Sequence, residues 1–125
     1  MTIIVLIVED EMLLSMDLED MLIENGYTVA GGATDMHQAI AICEREGDRI
    51  DLALMDLNLA RGTNGIETAR ILRERWNIPS LFISGNIDEK MRVSSASSRP
   101  VGYVGKPFSE KAILEAVLKA APIAR

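Results

Sequence analysis

Six consecutive apolar residues, Ile3 to Val8, run without transition into three acidic ones, Glu9, Asp10 and Glu11. A run this short and this rich in β-branched residues reads as a strand buried on both faces, which requires helices on either side of a sheet. The next segment supplies one such helix. Leu14, Leu18, Met21 and Leu22 recur at helical spacing, and Asn25-Gly26 is a stop signal. A short strand over Tyr27 to Ala30 follows, and the Gly31-Gly32 pair reads as a turn. Met36, Ala39, Ile40 and Cys43 then mark a second helix that ends near Gly47.

The alternation continues to the end of the chain. Leu52 to Met55 reads as a third strand with Asp56 at its C-terminal end, and a loop through Gly62 to Asn64 leads to a helix from Ile66 to about Trp76. Pro79 introduces a fourth strand, Leu81 to Ile83, closed by Ser84 and Gly85. Asp88 to Ser98 has weak helical character and four serines, and Pro100 interrupts the approach to the next strand, so a short or mobile fourth helix is expected. Val101 to Val104 is a fifth strand, and Ser109 is placed to cap a last helix with Ala112, Ile113, Ala116, Val117 and Ala120 on its apolar side. Five strand–helix units in alternation give an α/β fold, a doubly wound parallel sheet with five flanking helices. Periodicity alone leaves the strand order open.

A length of 125 residues fits one domain, 1–125, with one continuous architecture. The formal net charge of -6 and the absence of a basic stripe argue against direct nucleic-acid binding. Arg61, Arg70, Arg73 and Arg75 interleave with Glu67 and Glu74 and read as solvated charges, Trp76 as a packing residue and His37 as an exposed one. Cys43 is the single cysteine and sits in an apolar helical pattern, which points to a buried thiol. The apolar start, Met1 to Val8, is too short to span a bilayer and lacks a basic leader, so no membrane insertion and a cytoplasmic location are expected.

In open α/β sheets, functional groups collect beyond the C-terminal ends of the strands. Glu9 and Asp10 follow strand one, Asp56 ends strand three, Ser84 ends strand four and Lys106 follows strand five. Three carboxylates brought together repel one another, and a hard divalent cation relieves that repulsion. All-oxygen ligation indicates Mg²⁺, with Mn²⁺ as the other candidate, while one His and one Cys offer no zinc set.

Strand then Glu9-Asp10-Glu11, Met55-Asp56 with Asn58, Ser84-Gly85, Tyr103 and Lys106-Pro107-Phe108 together resemble the receiver domains of bacterial two-component response regulators, of the single-domain, chemotaxis-regulator-like kind. The resemblance covers nearly the whole chain. It implies a flavodoxin-like fold with strand order 2-1-3-4-5 and a cis bond before Pro107. It also implies Mg²⁺ held by Glu9, Asp10, Asp56 and the backbone carbonyl of Asn58. Asp56 is then the phosphoacceptor, Ser84 and Lys106 contact the phosphoryl oxygens, and Ser84 and Tyr103 form the switch. The implied phosphodonor is a sensor histidine kinase or a histidine phosphotransfer protein. Output is expected through a downstream protein target, from a monomer or weak dimer. Removal of the acyl phosphate by water makes such a domain a self-resetting switch rather than a conventional turnover enzyme.

The pattern departs from many relatives in three places. Glu9 stands where Asp is common, Ser84 where Thr is common, and in the loop after Asp56 Ala60 stands where proline is common, with Arg61-Gly62-Thr63-Asn64 one residue longer before Gly65. A second reading, a phosphorylation-independent interaction module on the same fold, predicts no phosphoryl adduct and tight partner binding by Asp56→Asn. A small phosphatase would instead show multiple turnover on a free phosphorylated metabolite.

Overall fold

In the computed structural model, which describes residues 2–57, 59 and 64–124, five parallel strands form one sheet in the order β2-β1-β3-β4-β5. The strands are β1 (Ile4–Val8), β2 (Thr28–Ala33), β3 (Leu52–Asp56), β4 (Ser80–Ser84) and β5 (Gly102–Gly105). The helices between and after them are α1 (Met12–Glu24), α2 (Met36–Glu46), α3 (Gly65–Trp76), α4 (Glu89–Ser95) and α5 (Glu110–Ala124). The expected loop Ala60 to Thr63 and the expected carbonyl ligand Asn58 lie outside the described residues.

Alternation along the strands divides the interior into two layers. Leu6, Val8, Ala53, Met55 and Phe82 face α2 and α3, meeting Ala39, Ile42, Cys43, Ala69 and Leu72. Val5, Ile7, Leu52, Leu54, Leu81 and Ile83 face α1 and α5, meeting Leu18, Leu22, Ile113 and Val117. Every residue of β3 and β4 is buried, which is why those strands read as unbroken apolar runs. No helix among the described residues is long and apolar enough to cross a membrane.

Local signals place the helix ends. Gly26 takes φ 89° after α1, a left-handed conformation that glycine adopts without a Cβ penalty. The Asp35 carboxylate accepts from the Gln38 amide at 2.9 Å and caps α2, and Asn64 caps α3 by accepting from Ile66 at 2.7 Å. Ser109 caps α5 as its position suggested, accepting from the Ala112 amide at 3.0 Å. Trp76 packs over Gly47, where a Cβ would lie 2.5 Å from the indole ring, and Cys43 is buried.

Two segments differ from the sequence-based expectation in instructive ways. The Gly31-Gly32 pair is not a turn: it lies inside β2, which continues to Ala33. The pairing with β1 slips between Val5 and Leu6, from Val5 opposite Val29 to Leu6 opposite Gly31, so β2 carries a bulge. Missing side chains at the two glycines admit Ile42 of α2 on one face and Ser15 of α1 on the other. The fourth helix is short, seven residues capped by Asp88, and a 3₁₀ turn over Ala96–Ser98 completes it. Its serines are not all surface residues, because Ser95 and Ser98 are buried and hydrogen-bonded.

Candidate functional site

The C-terminal ends of β1, β3, β4 and β5 open onto one edge of the sheet. Glu9 and Asp10 leave β1 there. The Glu9 amide donates to the Ala33 carbonyl at 2.9 Å, so the bulged end of β2 fixes the backbone from which Glu9 projects. Asp56 is the last residue of β3, with only 5% of its surface exposed. Carboxylate oxygens from Glu9, Asp10 and Asp56 all lie within 4.8 Å of one another. Glu9 is buried and Asp10 is exposed, which leaves the cluster one solvent-facing side.

Lys106 reaches this cluster from the residue after β5. Its Nζ lies 3.1 Å from Glu9 Oε1 and 3.3 Å from Asp56 Oδ1. The Lys106 amide donates to the Ser84 carbonyl at 2.8 Å, so strands four and five fix the base of the lysine. The Lys106–Pro107 peptide bond is cis. Burial works against the charge of Lys106, but the contacts with Glu9 and Asp56 outweigh it and hold the ammonium above its ordinary pKa. Glu9 is pushed up to about 7, chiefly by burial and further by Asp56, against the lowering effect of the Glu11 amide and Lys106. A buried, partly repelled carboxylate of this kind gains most from a cation placed beside it.

The donor set fits a hard divalent ion: three carboxylates, all oxygen, converging from two strand ends with one side open to water. Ser84 ends β4, is 5% exposed, and its Oγ accepts from the Asn86 amide at 3.1 Å. The hydroxyl makes only a long 3.5 Å approach to the Asn86 carbonyl, so its proton is weakly committed.

Tyr103 is set apart from the carboxylates. Its ring stacks on Phe82 with centroids 5.9 Å apart, the Arg92 guanidinium lies 4.6 Å above it, and its hydroxyl is 2.8 Å from Ser95 Oγ. Tyr103 is legible in the sequence, whereas its partner in α4 and the positioning role of Gly65 depend on contacts that no local pattern encodes. A Cβ at Gly65 would lie 2.0 Å from the Asp56 carbonyl oxygen, so only glycine lets α3 begin against the backbone of β3. The arginines of α3 are engaged within the chain. Arg70 pairs with Glu67 and Glu74, and Arg75 pairs with Glu44 at 3.7 Å while lying over Trp76.

Comparison with known proteins agrees with this arrangement. Residues 5–118 match the response regulator receiver domain family. The aerobic respiration control protein ArcA of Escherichia coli K12 is 35% identical over 109 residues, 86% of this chain and 43% of that protein. The transcriptional regulatory protein PdtaR of Mycobacterium tuberculosis H37Rv is 31% identical over 113 residues, 90% of this chain and 54% of that protein. The chain thus spans about half the length of these curated relatives. The signal receiver domain of a modulated diguanylate cyclase from Desulfovibrio desulfuricans G20 superimposes with a TM-score of 0.87 at 28% identity, covering 99% of this chain and 97% of that one.

Proposed function

Because the chain belongs to the response regulator receiver domain family, we propose that Asp56 accepts a phosphoryl group from a partner's phosphohistidine and that the resulting change of shape is read by another protein. An acidic cluster of this composition is typical of the Mg²⁺-dependent phosphorylation site of receiver domains, whose chemistry is self-catalysed transfer and release rather than conventional turnover. Membership in the family implies partnership with a histidine kinase or histidine phosphotransfer protein and with a downstream effector.

The observation that carries the reading is the position of Lys106, whose ammonium touches both Glu9 and Asp56 in a cluster of three carboxylates. An Asp56 carboxylate oxygen attacks phosphorus, a P–O bond forms, and the P–N bond to the donor imidazole breaks with its electron pair returning to the ring nitrogen. Glu9, Asp10 and Asp56 would hold the Mg²⁺, with the Asn58 carbonyl as a further ligand, and the bound ion supplies charge neutralisation between carboxylate and phosphoryl oxygens. Lys106 keeps Asp56 oriented before transfer and pairs with a phosphoryl oxygen afterwards. Ser84 turns its hydroxyl from Asn86 to another phosphoryl oxygen. Hydrolysis of the acyl phosphate returns Asp56 to its starting state.

Tyr103 is the readout, because it joins β5 to α4 through Ser95 and sits beside the Ser84 strand through Phe82. The output is protein binding, the protein is a monomer or weak dimer before modification, and direct nucleic-acid contact is no part of this domain's role. Intact-mass analysis after incubation with a small phosphoryl donor tests the reading. A single labile adduct that requires Mg²⁺ and is missing in Asp56→Asn supports it. No adduct while the metal binds overturns it in favour of a phosphorylation-independent module.

A further inference from the structure

A cavity of ≈ 290 Å³ is lined by Leu57, the residue after Asp56, by Ser84 at the end of β4, by Asn86 and Asp88 of the β4–α4 connection, and by Lys90 and other residues of α4. It shares Ser84 with the proposed phosphoryl contacts and Leu57 with the chain next to Asp56, which puts it on the Ser84 side of the phosphoacceptor. Two charged residues line it. Asp88 is already engaged, its Oδ1 accepting from the Met91 amide at 2.8 Å as the cap of α4. Lys90 is exposed, and among the described residues its ammonium makes no hydrogen bond or ion pair.

Charge balance gives that lysine a task. At formal charges, the three carboxylates are matched by the Lys106 ammonium and a divalent ion. Transfer replaces the single negative charge of Asp56 with a phosphoryl group carrying about 1.5–2 negative charges. Lys106, the one cation in contact with the cluster among the described residues, is already shared between Glu9 and Asp56. Lys90 is the cation lining the cavity on the Ser84 side. We propose that Lys90 is a second phosphoryl-recognition cation, drawn across the cavity to the modified Asp56.

The inference rests on Asp56 being the phosphoacceptor, and it adds a mechanical link. Lys90 belongs to the first turn of α4, and Ser95 of the same helix bonds Tyr103 at 2.8 Å. Attraction of Lys90 towards the phosphoryl group shifts the helix that holds the readout residue, without requiring Ser84 to carry the signal alone.

The test uses the full chain with Mg²⁺ and beryllofluoride, a tetrahedral mimic of an acyl-bound phosphoryl group, followed by amide and lysine side-chain NMR. Lys90→Gln is expected to raise the half-saturating beryllofluoride concentration about 2- to 5-fold and to make binding less sensitive to added salt. Lys90→Arg is expected to restore most of the affinity, and the Lys90 ammonium resonance to shift on saturation in the wild type. Wild-type affinity and salt dependence in Lys90→Gln, with binding intact, would overturn the role of Lys90 and leave Asp56 chemistry standing. No binding by the wild type, matching an Asp56→Asn control, would overturn both.

Discussion

The Tyr103 hydroxyl and Ser95 Oγ lie 2.8 Å apart, joining the edge strand of the sheet to a helix of only seven residues. Ser95 is fully buried, and its Oγ also lies 3.2 Å from the Arg92 carbonyl. The stack on Phe82 and the Arg92 guanidinium above the ring complete a set of contacts that hold Tyr103 in one orientation.

Removing either hydroxyl should therefore loosen α4 against β5. Ser95→Ala is expected to cost about 1–2 kcal/mol, and Tyr103→Phe less, because Ser95 keeps the Arg92 carbonyl as a partner. Denaturant titration of both single variants and the double variant should return a coupling energy of about 0.5–1.5 kcal/mol. Strict additivity would show that the two hydroxyls do not act together.

Lys106→Met and Asp56→Asn should move stability in opposite directions. The first leaves Glu9 and Asp56 facing each other without their shared ammonium and is expected to destabilise the protein by about 1–3 kcal/mol. The second removes one repelling charge and is expected to stabilise it by about 0.5–1 kcal/mol in buffer containing a chelator. Both should abolish or severely slow adduct formation, so activity and stability are read independently.

Gly65→Ala should be among the most damaging single methyl additions. Its Cβ would meet the Asp56 carbonyl oxygen at 2.0 Å and Leu57 Cα at 2.8 Å, and backbone cannot yield as a flexible side chain can. A loss of about 2–4 kcal/mol is expected, with weakened Mg²⁺ binding because Asp56 moves with its carbonyl. Denaturation and Mg²⁺ titration monitored by NMR would check this. Near-wild-type values in both would show that α3 can shift away from β3 at little cost.

Burial pushes the Cys43 thiol up to about 11, partly offset by Arg75. The folded state thus holds the proton more tightly than the unfolded chain. This contribution to stability is fully present below about pH 9 and is lost as pH rises through about 11. At pH 8, alkylation by iodoacetamide should be much slower in native buffer than in concentrated urea. Equal rates would mean that α2 opens readily or that the thiol reaches solvent.

A residue's role is legible in the sequence where that role is local. The apolar runs of β1, β3 and β4 announced themselves because both faces are buried, and the groups at their ends followed from where strands stop. Lys106 was identifiable by the same logic, although its simultaneous contact with Glu9 and Asp56 was not. Gly31-Gly32 misled because two glycines usually mean a turn. Here their strand role depends on Ile42 and Ser15 approaching from two different helices, which no local pattern encodes. Ser95 was hidden similarly: a serine-rich stretch reads as solvated unless the distant Tyr103 hydroxyl is known to meet it.

The bulge in β2 has a consequence for which chain lengths this protein tolerates. Beyond the slip, Leu6, Ile7 and Val8 pair with Gly31, Gly32 and Ala33, and the Ala33 carbonyl then receives the Glu9 amide. Ala30 is the extra residue that makes this registration possible. Exchanging it for another small side chain changes little, whereas deleting it would either retract the Ala33 carbonyl from Glu9 or reverse the faces on which the two glycines admit their neighbours. Insertions and deletions in this edge strand are therefore constrained by the acidic cluster, even though no residue of β2 contributes a group to it.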